Sequence, residues 1–494
     1  MLVTCRQMQE AEARAFANGV SAAALMEQAG CGIARVIRQF FPVPGTVRLY
    51  LGTGNNAGDA LVAGRELRAA GWRLQARCVR EPEAFKPLPL QHWQALGGIE
   101  VVSADARCDA GPLVCLDGLL GLGASGALRA DYAALATEMN RLRTAQGSST
   151  VAMDLPSGLD GDSGVPGEAA VIADVTVTVA AVKCGLVADA AVNHTGRLAL
   201  VPLPALEPFI MEGDASAELL TPDLLRPWLP RRDHDCHKGR AGRVGILAGS
   251  PGFYGAAELA CLGALRAGAG LVTLLVREPE ALPLLAARMP AEVMVRRIDD
   301  ARAAAEGFNA LAVGPGLGFA HEEEVADLLR EAPVPVVIDA DALTLLAQRG
   351  LQPLRNAAGP RLLTPHPGEM QRLAGAVGDR ATCARTFADA HPGHTLLLKG
   401  ARTVIACAGE PLRYNSTGHA GMATGGMGDF LSGVAAALLG QGLPPPRAAS
   451  LAAWLCGRAA ELAALDAAPE SVLPSDLAAH LGSAWRQLSE GRCA

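Results

Sequence analysis

Short apolar runs recur along the whole sequence, and each is followed by a loop rich in glycine or acidic residues and then by a helical segment. Residues 47–51 form one such run, ahead of a loop at residues 52–59 and a helical segment at residues 60–70. The second half repeats the pattern, for example in the runs RVGILAGS and PVPVVIDADAL. Strands that alternate with helices form parallel sheets covered by helices. The sequence therefore predicts an α/β fold in which ligands bind at the carboxyl ends of the strands.

The alternation lapses over residues 206–230, where Pro222, Pro227 and Pro230 interrupt any sustained period. A chain of 494 residues is also too long for one ordinary domain. We therefore predict two α/β domains, residues 1–212 and residues 213–494.

Composition argues against several classes of partner. Half of the residues are apolar and the formal net charge is −7, which disfavours nucleic acid or an anionic membrane as a general partner. No run of about 20 uncharged apolar residues suggests a membrane span, and the first residues lack the pattern of a signal peptide. The 12 cysteines are scattered without a Cys-x-x-Cys pair, so we expect reduced thiols and a cytoplasmic protein.

The segment GMATGGMGDFLSG, residues 421–433, crowds glycines around Asp429 and runs into an apolar helix. Glycine-rich loops at helix N-termini turn backbone N–H groups toward phosphates. Asp429 is therefore a candidate base that takes a proton from a hydroxyl during phosphoryl transfer, although an Asp here also serves as an ordinary N-cap. The sequence has no P-loop motif, which disfavours a P-loop NTPase.

His366 either contacts ligand or has a purely structural role. Further phosphate donors are expected from Lys399, Asn415, Thr417 and Thr424.

Three loops in the first half place an acid beside glycine or serine at predicted strand ends: residues 55–59, 117–127 and 154–160. Their amide and carboxylate oxygens suit a cation or ribose hydroxyls. Because loops at the carboxyl ends of parallel strands converge, we expect one shared pocket. Lys183 is either part of this pocket or an ordinary surface charge.

These motifs, taken together and in order, resemble those of the bifunctional NAD(P)H-hydrate repair enzymes. The first half carries NNAGD, DGLLGLGASG and DLPSGLD, and it looks like an NAD(P)HX epimerase domain. The second half carries HKGRAGRV, GPGLG, TPHPGEM, KGARTV and NSTGHAGMATGGMGD, and it looks like an ADP-dependent NAD(P)HX dehydratase. The resemblance covers nearly the whole chain. It implies two three-layer αβα domains, the first Rossmann-like and the second ribokinase-like, and we also expect a homo-oligomer.

For the first half, the resemblance implies epimerisation of the R and S hydrates of NADH and NADPH, with Asp154 as a catalytic residue. The implied hydrate-binding residues are Asn55, Asn56, Ala57, Gly58, Asp59, Gly121, Leu122, Gly123, Ala124, Ser125, Gly126, Ala127 and Asp154. The implied potassium ligands are Asn56, Asp117 and Ser157, whose oxygen atoms suit K+. This chain has Ala57 and Ala60 where the family pattern has glycine. If that first glycine has a positive φ in the family, Ala57 strains the loop and weakens epimerisation.

For the second half, the resemblance implies ADP-dependent dehydration of the S hydrate to NADH or NADPH, with release of AMP and phosphate. Asp429 would be the catalytic base, and Mg2+ would accompany the transfer. The implied nucleotide contacts are Lys399, Gly400, Ala401, Arg402, Thr403 and Gly428. The implied lining of the hydrate is Ala256, Gly316, His366 and Asp429. The alternative is a ribokinase-like small-molecule kinase with a non-catalytic first domain, because the GGMGD loop alone would serve either.

Overall fold

The computed structural model describes residues 1–104, 106, 111–123, 126–210, 216–375 and 378–492. The contacts among these residues divide the chain into two compact units, Met1–Thr221 and Pro222–Arg492. The boundary expected between residues 212 and 213 lies outside the described residues, so it stays a prediction.

The first unit is built on a parallel sheet with helices on its faces. Its strands are β1 Leu2–Val3, β2 Thr46–Leu51, β3 Arg73–Cys78, β4 Glu100–Val101, β5 Leu113–Gly118, β6 Ser149–Met153, β7 Val175–Val179, β8 Val182–Lys183, β9 Arg197–Val201 and β10 Ala217–Leu219. Its helices are α1 Cys5–Ala17, α2 Ala22–Phe40, α3 Asn55–Ala69, α4 Pro87–Leu96, α5 Ala130–Gln146 and α6 Val192–Thr195. The sheet order is β4-β3-β2-β5-β6-β7-β9, and β1 pairs separately with β8.

Burial explains why the central strands of this sheet are mostly apolar in sequence. Every residue of β2 and of β5 is buried, as expected for parallel strands covered on both faces. Helices α2 and α3 pack closely where Gly30 meets Val62, since a Cβ built on Gly30 would lie 2.5 Å from the Val62 Cβ. This packing brings the start of α3 to the carboxyl end of β2.

The second unit has a larger sheet. Its strands are β11 Arg243–Leu247, β12 Leu271–Val276, β13 Val293–Arg297, β14 Ala310–Val313, β15 Val336–Ile338, β16 Arg361–Leu363, β17 Thr395–Leu398, β18 Val404–Cys407 and β19 Leu412–Tyr414. They follow the order β19-β18-β17-β16-β15-β14-β11-β12-β13. The pairs from β13 to β17 are parallel, whereas β17–β18 and β18–β19 are antiparallel. The alternation of strands and helices thus gives the α/β fold that the sequence predicts.

The helices of the second unit cover this sheet. They are α7 Pro222–Leu225, α8 Tyr254–Arg266, α9 Ala281–Arg288, α10 Glu322–Glu331, α11 Ala340–Arg349, α12 Gln352–Arg355, α13 Pro367–Ala374, α14 Arg380–Ala390, α15 Met427–Gly440, α16 Pro445–Asp466 and α17 Pro474–Glu490. Among the described residues, α16 is the one helix long and apolar enough to cross a membrane, and 83% of its apolar window is buried inside the protein. It therefore packs as a core helix.

Glycines let α8 and α15 approach very closely. A Cβ on Gly433 would lie 1.9 Å from the Ala260 carbonyl oxygen, and a Cβ on Gly263 would lie 2.2 Å from the carbonyl oxygen of Phe430. Toward their N-termini, a Cβ on Gly426 would lie 2.4 Å from the Leu259 side chain. The two helices therefore run in the same direction, and their N-termini lie at the same end of the unit.

Candidate active sites

The segment NNAGD forms the first turn of α3 and is not a loop. The helix begins at Asn55, and the Ala57 N–H donates to the Gly54 carbonyl at 3.1 Å. The expected helix start at residue 60 is wrong by one turn. Asn and Gly favour turns when judged in isolation, but here Ala57 and Ala60 belong to the buried core of the unit, and that packing extends the helix to Asn55.

Ala57 does not strain this segment. Among the described residues other than glycine, positive φ angles occur at Asp154, Ala180 and Ala340, so Ala57 has ordinary helical backbone. Its side chain is fully buried. The expectation that a residue with a Cβ is strained at position 57 is therefore wrong, because the segment is helical.

Asn56, Asp117 and Ser157, which were predicted from separate loops, come together at the carboxyl ends of β2, β5 and β6. Ser157 donates to Asp117 through its hydroxyl and its backbone N–H, both at 2.8 Å. The Leu120 N–H donates to the Ser157 Oγ at 3.1 Å, and the Asn56 amide donates to the Leu120 carbonyl at 2.8 Å. The Asn56 amide nitrogen is used in this way, which leaves its Oδ1 to face a ligand.

Asp117 is the acid among these three residues. Its side chain is 0% exposed, and burial raises the pKa of its carboxyl to about 6, although the hydrogen bonds from Ser157 and Leu119 oppose that rise. In the described part of the chain no Lys or Arg pairs with it. A buried carboxylate surrounded by neutral oxygen atoms is a donor set that suits a hard cation.

Asp154 has a strained backbone conformation, and one oxygen of its carboxylate is hydrogen-bonded within the protein. Its φ is 65°, a left-handed conformation that non-glycine residues seldom adopt outside functional sites. Its Oδ1 accepts hydrogen bonds from Lys183, from the Thr178 hydroxyl at 3.4 Å and from the Val179 N–H at 3.3 Å. Among the described residues no partner contacts Oδ2, which is left to face a ligand.

Lys183 belongs to this site and is not a surface charge. It is 0% exposed, and its Nζ donates to Asp154, to the Thr178 hydroxyl at 3.2 Å and to the Val179 carbonyl at 3.0 Å. These three partners use all three ammonium protons. The lysine therefore holds the Asp154 carboxylate in place and balances its charge.

Two further acids face Asp154. Burial raises the pKa of Asp59 well above its usual range, and the charges of Asp154 and Glu12 raise it further. Burial also raises the pKa of Glu12, again with a contribution from Asp154 that Lys183 partly offsets. Asp59 was predicted from the sequence, whereas Glu12 and Thr178 were missed.

Residues 121–123, which follow β5, border the same site. A Cβ on Gly121 would lie 3.7 Å from Asn56, and the Leu122 carbonyl accepts a hydrogen bond from Gln9 at 2.9 Å. Gly126 has a φ of 81°. Gly123 and Ala127 continue the loop, while the predicted residues Ala124 and Ser125 lie outside the described residues.

In the second unit, Asp429 lies in the first turn of α15. The preceding Gly426 has a φ of 91°, which explains the glycine at this turn, and α15 has no side-chain cap at its N-terminus. Asp429 is therefore not an N-cap. Burial raises the pKa of the Asp429 carboxyl to about 6, with further increases from Asp339, Asp341 and Glu369, while Lys399 lowers it. A carboxyl with this pKa is suited to exchange a proton near neutral pH.

Lys399 forms a buried ion pair beside Asp429. Its Nζ lies 2.8 Å from Asp339 and 3.8 Å from Glu369, and Asp339 also accepts a hydrogen bond from Ser432 at 2.7 Å. Burial lowers the pKa of Lys399, but the two carboxylates outweigh it and the pKa lies above its usual value. A Cβ on Gly428 would lie 3.2 Å from this Nζ, so Lys399 and Gly428 are neighbours as predicted.

His366 has a structural role that leaves one nitrogen for a ligand. It caps α13, because its Nδ1 accepts the N–H groups of Gly368 at 3.0 Å and Glu369 at 3.3 Å. The Glu369 carboxylate in turn accepts a hydrogen bond from the backbone N–H of His366 at 2.8 Å. The other ring nitrogen, Nε2, lies 3.6 Å from the Glu369 carboxylate on a side chain that is half exposed.

Ala256 and Gly316 also come together. A Cβ on Gly316 would lie 3.2 Å from the Ala256 Cβ and 2.7 Å from that of Phe253, so only glycine allows this approach at a φ of 57°. Gly318, in the same loop, donates its N–H to Asp341 at 2.8 Å. The loop after β14 is thereby tied to the acids that follow β15.

Some predicted phosphate donors are already used inside the protein. Asn415 donates to the carbonyls of Thr417 and Ala453, and the Thr417 hydroxyl lies 2.8 Å from the carbonyl of Trp454. Both side chains are buried, so they secure the backbone against α16 and the expectation of a phosphate contact from them is wrong. In the turn between β17 and β18, Gly400, Ala401 and Thr403 surround a buried Arg402.

The chain matches two family models, one in each unit. The model described as YjeF-related protein N-terminus matches residues 22–185, and the model described as NAD(P)H-hydrate dehydratase matches residues 244–482. A solved ADP/ATP-dependent NAD(P)H-hydrate dehydratase from Bacillus subtilis, co-crystallised with ATP/Mg2+, is 33% identical and covers 54% of this chain and 97% of that chain, with a TM-score of 0.48.

Curated relatives align along nearly the whole chain. The bifunctional NAD(P)H-hydrate repair enzyme Nnr of Moorella thermoacetica is 36% identical, over 99% of this chain and 97% of the relative. The enzyme of the same name from Gloeobacter violaceus is 38% identical over 93% of both chains. The Escherichia coli enzyme is 34% identical over 93% of this chain and 88% of its own. With identities above 30% over the full length and both family models in order, this chain belongs to the family of bifunctional NAD(P)H-hydrate repair enzymes.

Proposed function

We propose that the second unit uses ADP to remove water from the S hydrate of NADH or NADPH, and that the first unit interconverts the R and S hydrates. The observation that carries the dehydration is the Asp429 carboxyl, which lies at a helix N-terminus beside the Lys399–Asp339 pair and has a pKa of about 6. The observation that supports epimerisation is the Asp154–Lys183 pair, with Asp154 Oδ2 directed away from its protein partners.

In the dehydration, Asp429 takes the proton of the ring hydroxyl as that oxygen bonds to the β-phosphorus of ADP and AMP leaves. Loss of phosphate from the ester, with loss of a ring proton, then restores the ring double bond. The N–H groups at the start of α15 and the Lys399 ammonium stabilise the charge that builds up on the phosphate. The nucleotide would contact Gly400, Ala401, Thr403 and Gly428, and it would meet buried Arg402 only through the backbone.

The acids around Asp429 suit a divalent cation. Carboxylates of Asp339 and Asp341 follow β15, and carboxylate oxygens are the ligands that Mg2+ takes in nucleotide sites. Mg2+ would supply charge neutralisation between phosphate oxygens.

Potassium would fit the first unit. Its ligands would be Asn56 Oδ1, the Asp117 carboxylate and the Ser157 hydroxyl, which share one network of hydrogen bonds. We expect K+ to raise the melting temperature of the protein more than Na+ does at equal ionic strength, and Asp117→Asn to remove that difference. An equal response to both ions would contradict the potassium assignment.

A single experiment on the full chain separates the two activities. With ADP and Mg2+, the wild-type protein should convert a mixture of R and S hydrates completely to NADH. The Asp154→Asn variant should rapidly convert the S fraction alone. The R fraction should then be converted only at the rate at which R and S interconvert without enzyme. A wild-type protein that leaves the S fraction untouched would contradict the dehydratase assignment.

The comparisons favour this function over the kinase alternative, because the match in the first unit is to repair enzymes and Ala57 brings no strain that would mark a lost activity. We also propose that the protein acts in the cytoplasm, where its substrates and ADP occur; the ten cysteines in the described residues are all free thiols. The homo-oligomer stays a prediction that light scattering would test.

A further inference from the structure

Helix α1 presents one face to the site of the first unit. Cys5, Gln9 and Glu12 are spaced at i, i+4 and i+7, which places them on the same side of the helix. Gln9 donates to the Leu122 carbonyl at 2.9 Å, and the Cys5 N–H donates to Asp162 at 2.6 Å. The helix therefore lies across the loops that follow β5 and β6.

Glu12 completes this face, and its carboxylate interacts electrostatically with the charged groups of the site. The charges of Asp154 and Lys183 act on its carboxyl, and Glu12 in turn acts on Asp59. It is partly buried and has no hydrogen-bond partner among the described residues. By contrast, Glu10 lies on the outer face of α1, where it pairs with Arg6.

The N-terminal residues are held firmly enough to fix this arrangement. Strand β1 pairs with β8, so Val3 lies opposite Lys183. Thr4 then starts α1 with a capping box, in which its hydroxyl accepts the Gln7 N–H and the Gln7 side chain accepts the Thr4 N–H. One segment thus positions both Lys183 and Glu12, although it lies before the matched range of the family model, residues 22–185.

Epimerisation needs a group that reaches the hydroxyl and exchanges a proton with it, whereas the Lys183 ammonium is directed at three acceptors within the protein. Asp154 Oδ1 is likewise held by the protein. A second carboxyl beside Asp154 would assist water to leave one face of the ring and to return to the other.

Building on the epimerase activity proposed above, we propose that Glu12 is a catalytic residue of epimerisation and works with Asp154 as an acid–base pair. One carboxyl gives its proton to the hydroxyl, and the carbon–oxygen bond breaks. Water departs, and the ring becomes a cation whose charge is shared with the ring nitrogen. Water then bonds to the opposite face of that carbon and gives a proton to the other carboxylate. The released water and the added water balance, and the pair ends with one proton, as it began.

The test is Glu12→Gln in the full chain, with Glu10→Gln as the matched control on the outer face of the same helix. Epimerisation is measured from the pure R hydrate as the rate of NADH formation in the presence of ADP. A separate assay of each variant on the pure S hydrate checks that its own dehydration step is fast enough not to limit this rate. We expect Glu12→Gln to slow R conversion by about 100-fold or more, because general acid–base groups contribute about 100- to 10,000-fold. Conversion of the S hydrate should be unchanged in both variants.

Glu12→Asp and the pH profile distinguish catalysis from a structural role. If the Glu12 carboxyl transfers protons, Glu12→Asp should retain part of the rate of R conversion. The pH profile of the wild type should also show one ionisation that is absent from the profile of Glu12→Gln. The charged groups that interact with Glu12 are Asp59, Asp154 and Lys183. R conversion by Glu12→Gln within threefold of wild type would overturn the proposal, as would equal losses in Glu12→Gln and Glu12→Asp. If the wild type does not convert the R hydrate, the epimerase assignment itself is wrong. The wild-type assay alone gives this result, so it is distinguished from a failure of the Glu12 proposal.

Discussion

Replacing Asp429 by asparagine should abolish most of the dehydration while the protein continues to bind ADP. The amide has the shape of the carboxylate but cannot accept the hydroxyl proton. Loss of a general base costs about 100- to 10,000-fold in rate, which is about 3 to 5.5 kcal/mol of barrier. The Lys399–Asp339 pair at 2.8 Å does not depend on Asp429, so the charges that would hold phosphate stay in place.

The direction of the change in ADP affinity also follows from the structure. Asp429 adds negative charge next to Asp339, Asp341 and Glu369, and these charges act on one another. Removing one of them lowers the repulsion that the ADP phosphates would meet. We therefore expect Asp429→Asn to bind ADP as tightly as the wild type or more tightly, as measured by calorimetry.

The same carboxyl sets the pH dependence in the wild type. Because the pKa of Asp429 is raised to about 6, the base is lost as the pH falls through that value, and the rate on bound S hydrate should drop about tenfold per pH unit below it. If the carboxyl had its ordinary pKa, the rate would not change with pH down to about pH 4.

The assay is single-turnover formation of NADH from S hydrate and ADP, and the control is Asp389→Asn, at an exposed position on α14. An Asp429→Asn rate within threefold of wild type, or a parallel loss of ADP binding, would refute the role of base.

Four other variants test the packing and charges around the sites. Ala57→Gly should lower the free energy of unfolding in urea by about 1 kcal/mol, since glycine weakens a helix; higher stability would mean that Ala57 is strained after all. Gly433→Ala should cost about 3 kcal/mol or more because its Cβ would meet the Ala260 carbonyl at 1.9 Å, whereas Gly482→Ala, with open space around it, should gain about 0.5 to 1 kcal/mol. Lys183→Met removes the ammonium group that holds Asp154 Oδ1, so R conversion should slow by about tenfold or more while S conversion is unchanged; R conversion within threefold of wild type would show that the pair does not position Asp154.

Local patterns in the sequence are sufficient to predict the sheet, the helix N-terminus that carries Asp429 and most of the convergent loops. Parallel strands buried on both faces must be apolar, and their ends must turn, so the alternation is visible without any knowledge of contacts. The start of α3 was misjudged because Asn and Gly prefer turns locally, while the burial of Ala57 and Ala60 that extends the helix is a tertiary effect. The phosphate contacts expected from Asn415 and Thr417 failed for the same reason, since their partners belong to a later helix.

The most informative residues that the sequence hides are those whose partners lie far along the chain. Lys183 looks like any surface lysine until β1 and β8 pair and place it against Asp154. Glu12 stands in a helix with three other charged residues nearby, and nothing local distinguishes it from Glu10. The distinction is made by the helix face that Gln9 anchors on Leu122. A family match that begins at residue 22 cannot supply this information either, because the contacts that bring the first residues onto the site exist only in the folded protein. If Glu12 transfers the proton, the N-terminal strand and helix are part of the epimerase site, and a truncation that follows the family match would remove the activity together with the positioning of Lys183.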